Sequence, residues 1–151
     1  MSLKARLAED MKLAMKEKEA GKLRLSTIRM VRAAVKNLEI DKKRELTEEE
    51  VLEVLAREVK MRRDASEEFQ KAGRDDLVQA EQAEIAILSA YLPKQLDETE
   101  IRQLVRTVIA EVGASSEKEL GKVMSALMPK VKGRSDGKLV NTIVRAELAK
   151  Q

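Results

Sequence analysis

The sequence predicts an all-α protein of seven helices, and three observations carry that prediction. Apolar residues recur every three or four positions along most of the chain, the period of one helix face. Thr47-Glu48-Glu49-Glu50, Asp97-Glu98-Thr99-Glu100 and Ser116-Glu117-Lys118-Glu119 have the form of capping boxes, in which a short polar side chain takes the backbone N–H three residues on. The composition leaves little for turn-rich β architecture: of 151 residues, 38% are charged, and Pro93 and Pro129 are the only prolines. Hydrophobic residues make up 43%, yet Phe69 and Tyr91 are the only aromatics, so aliphatic side chains must build the core.

The first stripe runs through Leu3, Leu7, Met11 and Met15, with Gly21 as its expected stop. Leu25, Ile28, Val31, Val35 and Leu38 line a second helix, and Arg29, Arg32 and Lys36 form a basic row along it. A third begins at Thr47, with an inner face of Val51, Leu52, Leu55, Val59 and Phe69 and a left-handed stop at Gly73. Its stripe is broken between Val59 and Phe69 by Lys60-Met61-Arg62-Arg63-Asp64, which implies a protruding segment or a polar partner. Asp75-Asp76 opens a fourth helix, striped by Leu77, Ala80, Ile87, Leu88 and Tyr91 and ended by Pro93.

Pro93 to Leu96 marks a domain boundary, because proline favours an extended residue before it and a capping box follows at once. The expected division is therefore two helical subdomains, residues 1–93 and 94–151. Ile101, Leu104, Val105, Val108 and Val112 stripe the fifth helix, which stops at Gly113. The β-branched run from Val105 to Val112 could suit a strand, but the caps at both ends decide for helix. Ser116 is the expected cap of a sixth helix carrying Leu120, Val123, Met124 and Leu127 to Pro129. Leu139, Val140, Ile143, Val144 and Leu148 mark the seventh.

Net charge is only +3, but it is segregated along the chain. Residues 1–40 hold ten Lys/Arg against five Asp/Glu, residues 41–121 thirteen against twenty, and residues 122–138 five against one. The two basic stretches could share a phosphate-seeking face or be ordinary solvated helix surfaces. Cysteine is absent, which excludes disulfides and thiolate metal sites and fits a reducing compartment. Met1 to Ala20 contains no continuous apolar run, so neither a signal peptide nor a membrane span is expected there, and the predicted location is cytoplasmic.

Histidine is also absent, which removes the commonest neutral-pH base and the Ser-His-Asp triad. Glu48, Glu49 and Glu50 are dense but successive, about 100° apart around a helix, and cannot converge as a dyad. Ser115-Ser116-Glu117-Lys118 has the letters of a serine–lysine hydrolase motif without its companion motifs. Gly133-Arg134-Ser135-Asp136-Gly137-Lys138 has only three residues between its glycines, Leu139 where a magnesium-binding hydroxyl is needed, and no preceding strand, so it fails as a nucleotide phosphate loop. A simpler anion site survives, with Lys130, Lys132, Arg134 and Lys138 around a glycine-flanked helix start. The competing reading is a tight turn with solvated lysines.

Four strings carry a family resemblance over nearly the whole chain: Leu23 to Ala33, Arg62 to Leu77, Glu84 to Leu96 and Gly121 to Asn141. Through them the sequence resembles the YqeY family, which implies a four-helix N-terminal part and a three-helix C-terminal part. Gly121, Lys122, Val123, Met124, Lys132, Gly133 and the Val140-Asn141 pair followed by Leu148 are also similar to the tail of the B subunit of glutamine-dependent tRNA amidotransferase. That tail is implicated in holding tRNA, while other domains carry the glutamine and phosphate chemistry. A carbon–nitrogen ligase label would reach this chain by association only.

The resemblance thus implies a non-catalytic module without cofactor or metal, whose partner is tRNA or a tRNA-handling protein complex. Lys130, Lys132, Arg134 and Lys138 are its expected phosphate contacts, with Arg29, Arg32, Arg62 and Arg63 as a second patch. With one Tyr and one Phe, base stacking has no basis. The alternative is a protein adaptor docking on a synthetase or amidotransferase complex through the acidic face of the third helix.

Overall fold

A computed structural model describes all residues, 1–151, as seven α-helices and no strand, with 79% of the chain helical. The chain forms two compact units, Met1–Leu92 and Pro93–Gln151. The first holds α1 (Leu3–Lys16), α2 (Lys22–Lys42), α3 (Glu48–Lys71) and α4 (Asp75–Ser89). The second holds α5 (Glu98–Val112), α6 (Leu120–Val131) and α7 (Gly137–Leu148).

The cap chemistry explains most of the boundaries. Thr47 accepts the Glu50 N–H at 3.2 Å while the Glu50 carboxylate takes the Thr47 N–H at 3.0 Å, a complete capping box at the start of α3. Asp97 accepts from the Glu100 N–H at 2.8 Å and starts α5, and Gly113 ends that helix in the left-handed region at φ 68°. Gly73 is left-handed at φ 70°, just beyond α3.

Four local expectations are corrected. Gly21 does not end the first helix, because α1 stops at Lys16. Lys18 takes the positive φ, and Gly21 lies where α2 meets α1, so that a Cβ there would stand 2.2 Å from the Ala14 carbonyl oxygen. Ser116 makes no side-chain cap, because a 3₁₀ turn, Glu117–Glu119, leads into α6 instead. Pro129 lies inside α6, which runs on to Val131 without the one backbone bond that an N–H at position 129 would have made. On the stripes, Met15 is 51% exposed while Ala14 is fully buried, and Ala80 and Leu139 also face outward. A four-residue step overshoots the 3.6-residue turn, so such a stripe drifts around the helix.

Each unit has its own core. Leu7, Ile28, Val31, Leu55, Val59 and Leu88 are among the residues that close the first, and Tyr91 packs at its edge. The Tyr91 hydroxyl donates to the Asp10 carboxylate, and the Arg6 guanidinium stands over its ring, 4.9 Å from the centroid. Burial first, and then the Asp10 carboxylate, push the phenol above its usual range. Phe69, expected inside, is only half-buried. The second core consists of aliphatic side chains from all three of its helices, including Ile101, Val105, Val123, Leu127, Val140 and Val144.

Candidate phosphate-binding loop

The segment joining α6 to α7 is shaped by its own backbone. Lys132 leaves the helix with ψ 124°, and Gly133 turns back at φ 73°, a conformation that resists a Cβ. The Arg134 N–H then donates to the Val131 carbonyl at 2.9 Å. The stretch after Pro93 fastens this turn from outside. The Gln95 side-chain amide donates to the Gly133 carbonyl at 2.8 Å, and the Leu96 N–H donates to the Arg134 carbonyl at 2.8 Å. A short loop with two external backbone ties presents its side chains from a defined frame.

Of the four cations expected here, Lys130, Lys132 and Lys138 are exposed and Arg134 is half-buried. Lys130 pairs with Glu111 at 3.4 Å, an exposed contact of little energetic weight. Arg134 directs its Nε toward the Lys94 carbonyl at 3.4 Å. The expected role of the helix start changes. Asp136 caps α7 by accepting the Lys138 N–H at 3.1 Å, so the chain's own carboxylate takes a position at which a phosphate oxygen would bind. Any anion held here is held by side chains.

The second patch divides. Arg29 and Arg32 are exposed on α2, and Arg63 is half-buried on α3. Arg62 is 8% exposed: it donates to the Glu58 carbonyl at 2.9 Å and stands 3.4 Å from the Glu58 carboxylate and 3.5 Å from that of Glu84. It therefore leaves the group of surface cations. The break in the α3 stripe marks a polar partner, since Arg62 and Ser66 continue the inner face; Ser66 accepts from the Gln82 amide of α4 at 3.1 Å.

One group was missed. Glu147 of α7 is 2% exposed and holds three cations, with Arg102 at 3.2 Å, Arg106 at 3.1 Å and Lys150 at 3.2 Å. The Arg106 hydrogen bond is the chief cause that keeps its carboxyl below the usual range, and Lys150 adds to it, against the opposite push of burial. Its signal in the sequence is a glutamate one residue before Leu148 in an otherwise apolar face, with two arginines four apart on α5.

Counted by unit, the net charge is not shared. Met1–Leu92 contains nineteen basic and nineteen acidic residues, whereas Pro93–Gln151 contains eleven against eight, so the whole excess of three lies in the second unit. No group of three or more His, Cys, Asp or Glu is placed to hold a metal ion, and no helix is long and apolar enough to cross a membrane.

The profile of a family described as Yqey-like protein matches residues 4–148. Among curated proteins, the chain is similar to three called altered inheritance of mitochondria protein 41, mitochondrial. It is 32% identical to that of Pyrenophora tritici-repentis over 86% of this chain and 71% of the relative. For Kluyveromyces lactis the identity is 43%, over 58% and 46%, and for Lachancea thermotolerans 36%, over 74% and 60%. The chain thus spans about half to three fifths of the length of the latter two. These names correct the expected cytoplasmic location, because all three relatives are called mitochondrial. The physical reason is that missing cysteines report a reducing environment, not an address.

Proposed function

The chain belongs to the YqeY family, and from that premise we propose that it is a non-catalytic module whose C-terminal unit grips the phosphate backbone of tRNA. The observation that carries this reading is the α6–α7 loop, where Lys130, Lys132, Arg134 and Lys138 fall within nine residues beside a single acid, Asp136. The loop belongs to the unit that holds the excess positive charge. The first unit suits this role less, being neutral and having lost Arg62 to an internal ion pair. Binding rests on backbone contacts, since the one buried tyrosine and one half-buried phenylalanine offer no stacking platform.

The adaptor alternative rests on the acidic face of α3, and acids at the N-terminal end of that helix have partners within the chain. Glu48 accepts the Leu3 N–H at 2.8 Å, and Glu50 is held by Arg44 at 2.7 Å and Lys42 at 3.0 Å. That face offers less unpaired charge than its sequence suggests.

The test is fluorescence anisotropy with a labelled tRNA transcript over a series of salt concentrations. Changing Lys132, Arg134 and Lys138 together to Gln should flatten the log-affinity against log-salt slope by about two to three units, with helicity retained. Changing Glu67 and Glu68 to Gln should leave the slope alone. Equal slopes for the parent and the triple variant would remove the loop from the reading.

A further inference from the structure

Building on that phosphate-binding reading, we infer that Arg102, Arg106 and Lys150, gathered on the buried carboxylate of Glu147, form a second phosphate contact in the C-terminal unit. A carboxylate 2% exposed between Val144 and Leu148 requires compensation for lost hydration, and one well-placed cation can supply it. Here three cations converge on one carboxylate. Arg102 also meets Glu98 at 2.9 Å, which leaves three positive charges against two negative ones. Among these five groups one positive charge is left over, and it faces outward: the side chains of Arg106 and Lys150 are 58% and 60% exposed.

The donor geometry points the same way. Arg106 directs its Nε and Nη2 at the two Glu147 oxygens, at 3.1 Å and 3.4 Å. A guanidinium carries five N–H donors in a planar fork, so this contact occupies one edge and leaves donors on another. Glu147 fixes the side chain before any ligand arrives, which lowers the ordering cost of binding. Arg102 and Arg106 stand one turn apart on α5, about 6 Å along its axis. That step is close to the separation of neighbouring phosphates in one nucleic-acid strand and favours a polyphosphate backbone over a lone carboxylate. Lys138 and Glu147 are nine residues apart, so this cluster and the loop lie at opposite ends of α7, about 14 Å from each other along the axis. The two could engage separate points of one RNA.

The experiment measures anisotropy of the full chain with a labelled tRNA transcript over a salt series, using Arg102→Gln with Arg106→Gln, Arg102→Lys with Arg106→Lys, and the Lys132, Arg134, Lys138 triple Gln variant. The double Gln variant should weaken binding several-fold at low salt and flatten the slope by about two units, additively with the loop triple. Because losing both arginines could unfold a unit that buries Glu147, the double Lys variant keeps the charges. It should retain the parent slope and lose affinity, since ammonium groups cannot reproduce the fork. Arginine variants that stay folded by circular dichroism and bind like the parent, while the loop triple does not, would overturn this inference and leave the loop reading intact. A flattened salt slope in the double Gln variant but not in the loop triple would overturn the loop and keep the cluster. Absence of tRNA binding by the parent at low salt, with a polyglutamate peptide bound instead, would overturn both.

Discussion

Glu147 shows how a single side chain can carry more of the tertiary structure than its neighbours in sequence suggest. It is buried, it is held charged by Arg106 and Lys150, and its pairs with Arg102 and Arg106 tie α5 to the end of α7. The pH dependence follows in sign from its lowered pKa. An unfolded glutamate titrates near about 4.3, and the native one below that, so its contribution is complete above the unfolded value and disappears as pH falls through the native value. Glu147→Gln should therefore be less stable than the parent at pH 7, with the gap closing below about pH 4. Urea unfolding at a series of pH values tests this, and curves that stay parallel down to pH 3 would contradict it. Arg62 is the companion case in the first unit. Read from sequence as a surface cation, it is an inward residue because Leu55, Val59, Arg62 and Ser66 follow one helix face, and α4 offers Glu84 opposite.

At the scale of elements, helix ends were the most legible features wherever the capping chemistry is local. Thr47 with Glu50, Asp97 with the Glu100 N–H, and Gly113 each involve residues at most five apart. The stop expected at Gly21 was misread because that residue answers to the backbone of α1. The end of α2, for which the sequence offered no stop signal, uses Lys43 in the left-handed region at φ 56°, where glycine is the usual choice. The Lys43 N–H reaches the carbonyls of Glu39 and Ile40, so the motif forms in spite of the side chain. A non-glycine residue there costs roughly 1–2 kcal/mol, offset in part by the extra unfolded-state freedom of glycine. Lys43→Gly should stabilise the protein by about 0.5–1 kcal/mol, measured as a higher urea midpoint at unchanged m-value. A lower midpoint would show that the lysine side chain contributes something at that turn.

For the molecule as a whole, the division into units decides where charge resides. Along the chain, the basic N-terminal segment and the acidic middle look like opposites, but α1 to α4 fold together and cancel, with Lys4 on Glu39 at 2.7 Å as one such pair. The second unit keeps its excess of three. Both units have a core of their own and exceed the size at which staples become necessary. Residues 1–92 and 93–151, expressed separately, should each be helical by circular dichroism, and only the second should be retained on a heparin column at moderate salt. Retention confined to the first fragment would relocate the polyanion surface.

The helical class and the order of the seven helices follow from information local to the chain: apolar period and caps. The basic loop could be located in the sequence because Lys130 to Lys138 is one continuous segment, and the structure bends it at Gly133. What only the tertiary structure decided is which charged residues remain at the surface. Arg62 and Glu147 are buried because partners 22 residues away on α4 and 41 residues away on α5 meet them there. The start of α7 is occupied by Asp136, and the loop keeps its shape through Gln95 and Leu96. A charge is costly to bury and inexpensive to expose, so its fate depends on whether a partner arrives, and that is set by packing between helices and not by the neighbouring letters.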